Sequence, residues 1–132
     1  MSSTLEGKRV LVVEDEFLVA MMLEDMLVEL GCTIAGVAAK PADAIELIAS
    51  TQIDAAVLDV NLNGADSFPV AAALRNRGVP FIFATGYGGS RLTPEFSDYV
   101  VVEKPYRLKD LSEALGRLQL SGGSHLRARP AL

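Results

Sequence analysis

The chain has 132 residues, half of them hydrophobic, which is enough apolar material for one compact domain with its own core and too little chain for a second. Its 12 Lys and Arg stand against 17 Asp and Glu, a formal net charge of -5. That balance excludes the sequence-independent grip on nucleic-acid backbones or anionic membranes that clustered cations provide, so no nucleic acid and no membrane is expected as a partner.

Cys32 is the single cysteine and can form no internal disulfide. The most apolar window, 9–30, is broken by Glu14, Asp15, Glu16, Glu24 and Asp25, too many charges for a bilayer span, and no leader pattern is evident. A cytoplasmic location is the resulting expectation.

Short apolar runs rich in Val and Ile alternate with longer segments of helical spacing, the pattern of a parallel sheet with crossover helices. Strands are expected at 9–13, 33–38, 55–58, 80–84 and 99–102. Most are apolar throughout, as strands covered on both faces should be. Between the first two, 17–30 brings Leu18, Met21, Met22, Met26 and Leu30 onto one helical stripe. These are expected to face the core, with the methionines as filling and Gly31 as terminator. Pro41 opens a second helix carrying Ala44, Ile45 and Ile48, and a third over 67–75 has Pro69 in its first turn and ends before Gly78. The stretch GGSRLTPEFSD, with two glycines and a proline, predicts a fourth helix that is short or weak. Leu108, Leu111, Leu115 and Leu118 form the stripe of the last helix. The domain organisation is then an N-terminal extension at 1–6, a folded domain at 7–120 and a solvated tail at 121–132.

In a parallel sheet all strands end on one edge, and ligands collect outside those carboxyl ends where the strand order reverses. Glu14 and Asp15 follow the first strand, Asp59 the third, Thr85 the fourth, and Glu103, Lys104 and Pro105 the fifth. Taken singly, Asp15 reads as a helix cap, Thr85 as a strand end and Lys104 as part of a solvated turn. Their coincidence at four strand ends favours a site. Two unit charges about 4 Å apart repel by roughly 4 kcal/mol at an effective dielectric near 20, so clustered carboxylates call for a cation. Oxygen ligands of this kind suit Mg²⁺, which takes one or two carboxylates together with waters and a phosphoryl group.

The motifs VLVVEDE, AAVLDVNL, FATGY and VEKPY, in this order and at these separations, resemble the receiver domains of bacterial response regulators. The match extends over about 7–120. The resemblance implies a flavodoxin-like, doubly wound α/β fold with a five-stranded parallel sheet in the order 2-1-3-4-5. It further implies that Asp59 is the phosphoacceptor and that Glu14, Asp15, Asp59 and the Asn61 backbone carbonyl hold Mg²⁺. Thr85 and Lys104 would contact the phosphoryl oxygens, and the Lys104–Pro105 peptide would be cis. The partner would be a sensor histidine kinase, with a histidine phosphotransfer protein or a downstream regulator beyond it. His125 lies in the tail outside any amphipathic helix, so the donor is expected on another protein.

PFIFATGYGG is more particularly similar to the "FAT GUY" receivers, mostly stand-alone regulators of alphaproteobacteria linked to general stress signalling. Ordinary receivers carry a rotating aromatic residue three positions before the lysine, and here that position is Val101. Tyr87, flanked by Gly86 and Gly88, is the candidate to replace it as the moving side chain, because glycine changes backbone dihedrals at little steric cost. No enzymatic activity on a separate substrate is expected. Two other readings remain. A haloacid-dehalogenase-type phosphatase would need an acid where Asn61 stands. A degenerate receiver acting as a binding module would typically have lost one of Asp15, Asp59, Thr85 and Lys104, all of which are present.

Overall fold

The computed structural model describes residues 5–62, 65–85 and 99–118, with backbone alone at 61, 65 and 66. The described residues form the strands β1 (Arg9–Val13), β2 (Thr33–Ala38), β3 (Ala55–Asp59), β4 (Asn61–Leu62), β5 (Ala65–Asp66), β6 (Phe81–Thr85) and β7 (Val101–Glu103), and the helices α1 (Phe17–Glu29), α2 (Pro41–Ser50), α3 (Phe68–Asn76) and α4 (Leu108–Gly116). Five strands make one parallel sheet in the order β2-β1-β3-β6-β7. Counting only those five, this is the 2-1-3-4-5 arrangement expected from the sequence. The weak fourth helix, Gly86, Tyr87, Gly88 and the tail lie outside the described residues.

Alternation along each strand divides the core in two. On β1, Val10 and Val12 face one apolar cluster while Leu11 and Val13 face the other, and all four are essentially inaccessible. The same division recurs on β3 with Val57 against Leu58, and on β6 with Ile82 against Phe83. Helices α1 and α4 cover the first face through Leu23, Leu27, Leu111 and Leu115, and α2 and α3 cover the second through Ala44, Ile48, Val70 and Leu74. A fully buried Leu or Phe stabilises by about 1.5–3 kcal/mol relative to exposure, so both layers are needed to hold the central strands. Pro41 and Pro69 sit in the first turns of α2 and α3, where a missing N–H costs nothing. Gly31 ends α1 at a φ of 97°, a conformation that side chains disfavour.

Two elements differ from the sequence reading. Helix α1 turns Ala20, Leu23 and Leu27 inward, and leaves Leu18, Met21 and Met22 in solvent at 72%, 44% and 46% exposure. The apolar residues of 17–30 cover most of the helix surface, so their spacing alone defines no unique stripe. The sheet selects the face through the contacts of Leu23 and Leu27. Met26 and Leu30 do pack, half-buried, against the core as expected. The second difference is the antiparallel pair β4 and β5, which joins Asn61 to Asp66 and Leu62 to Ala65 immediately after the central strand. The intervening Asn63-Gly64 dipeptide is the hairpin signal that marks it in the sequence.

The orientation of α1 can be checked by truncation. Leu23→Ala should lose about 2–5 kcal/mol of unfolding free energy, the usual cost of a large cavity in a closed core. Met22→Ala should change it by no more than about 0.5 kcal/mol. Urea denaturation followed by far-ultraviolet circular dichroism measures both, and equal losses would return Met22 to the buried face.

Candidate functional site

Strand register brings the chemistry together. Val13 of β1 pairs with Leu58 of β3, so Glu14, one residue further, lies level with Asp59. Asp59 pairs with Ala84 of β6, and Thr85 pairs with Glu103 of β7, which puts Lys104 just past the same edge. The Lys104 N–H donates to the Thr85 carbonyl at 3.0 Å, and the Glu14 N–H donates to the Ala38 carbonyl at 2.9 Å. Backbone bonding thus continues one residue beyond the strands and fixes where these side chains begin.

The side chains then converge. Lys104 Nζ lies 2.8 Å from Asp59 Oδ2 and 3.2 Å from Glu14 Oε1, bridging the two carboxylates. Carboxylate oxygens of Glu14, Asp15 and Asp59 all lie within 4.8 Å of one another. Glu14, Asp59 and Thr85 are buried at 2%, 4% and 2% exposure, whereas Asp15 is half-buried. The Lys104–Pro105 peptide is cis. Asn61, the expected source of a metal-binding carbonyl, opens β4 two residues after Asp59.

Two residues that the sequence reading did not single out belong to this construction. Tyr106, buried at 5% exposure, places its hydroxyl 3.5 Å from Glu14 Oε1. Ser67, fully buried, donates its Oγ–H to the Val60 carbonyl at 3.0 Å and its N–H to the same oxygen at 3.3 Å, drawing closed the turn that leaves Asp59. Tyr106 closes the VEKPY motif and Ser67 opens the expected third helix, but neither position signals a polar contact in the sequence. Val101, in place of the family's aromatic residue, packs half-buried on the α2 and α3 face, where Tyr99 stacks on Phe81 with ring centroids 4.7 Å apart.

The electrostatics follow from burial. Glu14 is pushed up from 4.5 to about 7, chiefly because burial disfavours its charge and secondly because Asp59 repels it, and these outweigh the attraction of Lys104. Burial alone would lower Lys104, but its hydrogen bond to Asp59 and the charges of Asp59 and Glu14 hold the ammonium above its ordinary range. The Tyr106 phenol is raised by burial and then by the two neighbouring carboxylates, so it remains a donor. Among the described residues, three carboxylates gather around the Lys104 ammonium. This donor set, hard oxygens with unbalanced negative charge, fits a small divalent cation such as Mg²⁺.

The raised Glu14 has a consequence for stability. The native state holds this proton more tightly than the unfolded chain, so its contribution is full below pH 4.5 and is lost as pH rises to about 7. In metal-free buffer the parent should lose about 2 kcal/mol between pH 5 and pH 8 from this group, and Glu14→Gln should remove that part of the slope. Urea titrations of both proteins at the two pH values measure the difference, and parallel profiles would contradict it.

Comparison with known proteins agrees with this geometry. The response regulator receiver domain family matches residues 10–116. The solution structure of SdrG from Sphingomonas melonis Fr1 superposes with a TM-score of 0.75 at 43% identity, covering 87% of this chain and 97% of that one. The receiver domain of PhyR from Erythrobacter litoralis superposes with a TM-score of 0.72 at 29% identity, covering 98% of this chain and all of the other (100%). The transcriptional regulatory protein PdtaR of Mycobacterium tuberculosis is 31% identical over 114 residues, 82% of this chain and 55% of PdtaR. The chain therefore spans about half the length of that curated relative. With an acidic crevice at the carboxyl edge of a 2-1-3-4-5 sheet and a family match over most of its length, the chain belongs to the response regulator receiver domains of two-component systems.

Proposed function

We propose that this receiver is a phosphorylation switch in which Asp59 accepts a phosphoryl group from the phosphohistidine of a partner sensor kinase. The observation that carries the reading is the 2.8 Å contact between Lys104 and Asp59 within a buried cluster of three carboxylates. An Asp59 oxygen attacks phosphorus, the P–N bond to the donor imidazole breaks, and its electron pair returns to the ring nitrogen. Glu14, Asp15, Asp59 and the Asn61 carbonyl would hold Mg²⁺, which supplies charge neutralisation for the phosphoryl oxygens. Lys104 is positioned to follow the negative charge as it moves from the carboxylate to the phosphoryl group. The buried Thr85 at the end of β6 is the hydroxyl nearest in register to that group.

The donor has a surface on which to seat. Phe17, Leu18, Met21 and Met22 expose an apolar face of α1 that begins two residues after Asp15, beside the crevice. An apolar patch flanking a reaction site suits a helical partner that presents its histidine over the edge of the sheet. SdrG has a BeF3-activated conformation, and PhyR is a stress response regulator. Their similarity to this chain supports an activatable switch in stress signalling.

Exposure to a small phosphodonor with Mg²⁺, followed by intact-mass measurement, tests the assignment. The parent should gain one phosphoryl group, and Asp59→Asn should gain none while staying folded. Met21→Glu should slow transfer from a cognate kinase without altering labelling by the small donor. Full labelling of Asp59→Asn would refute the role of Asp59.

The output is read through the segment after Thr85. A phosphoryl group that favours one position of the Thr85 hydroxyl supplies the differential contact that a two-state switch requires. Tyr87 between Gly86 and Gly88 is the side chain proposed to move, since Val101 has no ring to rotate. Hydrogen exchange should change on phosphorylation across residues 86–96. Change confined to β7 and α4 would overturn this route.

A further inference from the structure

We propose that Tyr106 is a positioning residue for the acidic crevice, its hydroxyl aiming the Glu14 carboxylate at the bound cation; this deepens the phosphorylation reading and rests on it. Glu14 receives four contacts. Lys104 Nζ approaches Oε1 at 3.2 Å and Oε2 at 3.4 Å, the Glu16 N–H donates to Oε2 at 3.2 Å, and the Tyr106 hydroxyl stands 3.5 Å from Oε1. These contacts are all longer than the 2.8 Å link from Lys104 to Asp59. The ammonium is therefore committed mainly to Asp59. Any anion added to Asp59 draws the ammonium further from Glu14, because it already lies 2.8 Å from the Asp59 carboxylate.

Two donors would then remain on Glu14. The Glu16 N–H belongs to the same turn as Glu14 and moves with it. Tyr106 reaches the other oxygen from the segment leading from β7 to α4, and its ring is buried in the core cluster that includes Val12, Ala84, Val102 and Leu111. A phenol on a rigid ring holds Oε1 in one direction. It also does so without positive charge, so it orients the carboxylate and does not repel a cation. Lys104 cannot combine those properties. Lys104 and Tyr106 flank Pro105, so one short segment supplies both the mobile charged donor and the fixed neutral one.

Titration of the full chain with MgCl₂, followed by ¹⁵N chemical shifts, tests the inference. Tyr106→Phe keeps the ring and should keep the metal-free melting temperature close to that of the parent, while weakening the Mg²⁺ Kd by roughly three- to tenfold, the usual net weight of one ordinary hydrogen bond. Leu111→Ala, which loosens the packing around the ring, should lower the melting temperature and leave the Kd near that of the parent. In a Glu14→Gln background the Tyr106→Phe change should add little, because its route to the cation has been removed. A parent-like Kd for Tyr106→Phe overturns the inference and leaves the phosphorylation reading standing. Equal weakening by Leu111→Ala, or failure of Tyr106→Phe to fold, shows the hydroxyl to be structural and also overturns it. If the parent shows no Mg²⁺ response, the reading and the inference fall together.

Discussion

The rest of the molecule depends on repulsion among three carboxylates at the carboxyl edge of the sheet. Glu14 and Asp59 are nearly inaccessible, and Asp15 closes the cluster from the surface. Burial and the repulsion of Asp59 both act against ionisation of Glu14, and Lys104 relieves only part of the cost. Such an arrangement persists only where stronger forces hold the backbone beneath it. Those forces come from strands buried on both faces, each anchored in two apolar clusters at once. The unfavourable edge and the strongly packed interior therefore form one construction. Stability gained in the layers offsets the cost of the charged edge.

The contacts at Lys104 show how that edge becomes responsive. Its short link goes to Asp59, the proposed phosphoacceptor, and its longer ones go to Glu14. A lysine shared in this way redistributes when either carboxylate is modified. Donors from the Glu16 backbone and Tyr106 also reach Glu14. Beside them, α1 sacrifices burial for an exposed apolar face. Its inward side needs only Ala20, Leu23 and Leu27 to seal the sheet, so Phe17, Leu18, Met21 and Met22 are available to a partner.

Much of this was legible from residue order. Apolar runs such as Val10 to Val13 and Ala55 to Leu58 can only be strands covered on both sides, and the helices between them force a parallel sheet. Once the strands are parallel, every residue just beyond a strand lies on one edge. Glu14, Asp15, Asp59, Thr85 and Lys104 could thus be gathered from their positions alone. Local patterns sufficed because each of these statements depends on spacing along the chain.

What tertiary structure decided depends on which neighbour a residue meets. Helix α1 has apolar side chains over most of its circumference, so the choice of Leu23 and Leu27 over Leu18, Met21 and Met22 came from the shape of the sheet it covers. Tyr106 ends the VEKPY motif, but only folding brings its hydroxyl to a carboxylate 92 positions away. Ser67 acquires its partner in the same way, across the turn that contains β4 and β5. The sequence by itself determined the alternation of strands and helices, the parallel sheet and the chemical groups at its edge, because periodicity and strand ends are local properties. The strand order came from the resemblance of its motifs to a known family. The tertiary structure decided how far each group is desolvated and which donor each oxygen receives, because burial and hydrogen bonding are set by segments distant in the chain.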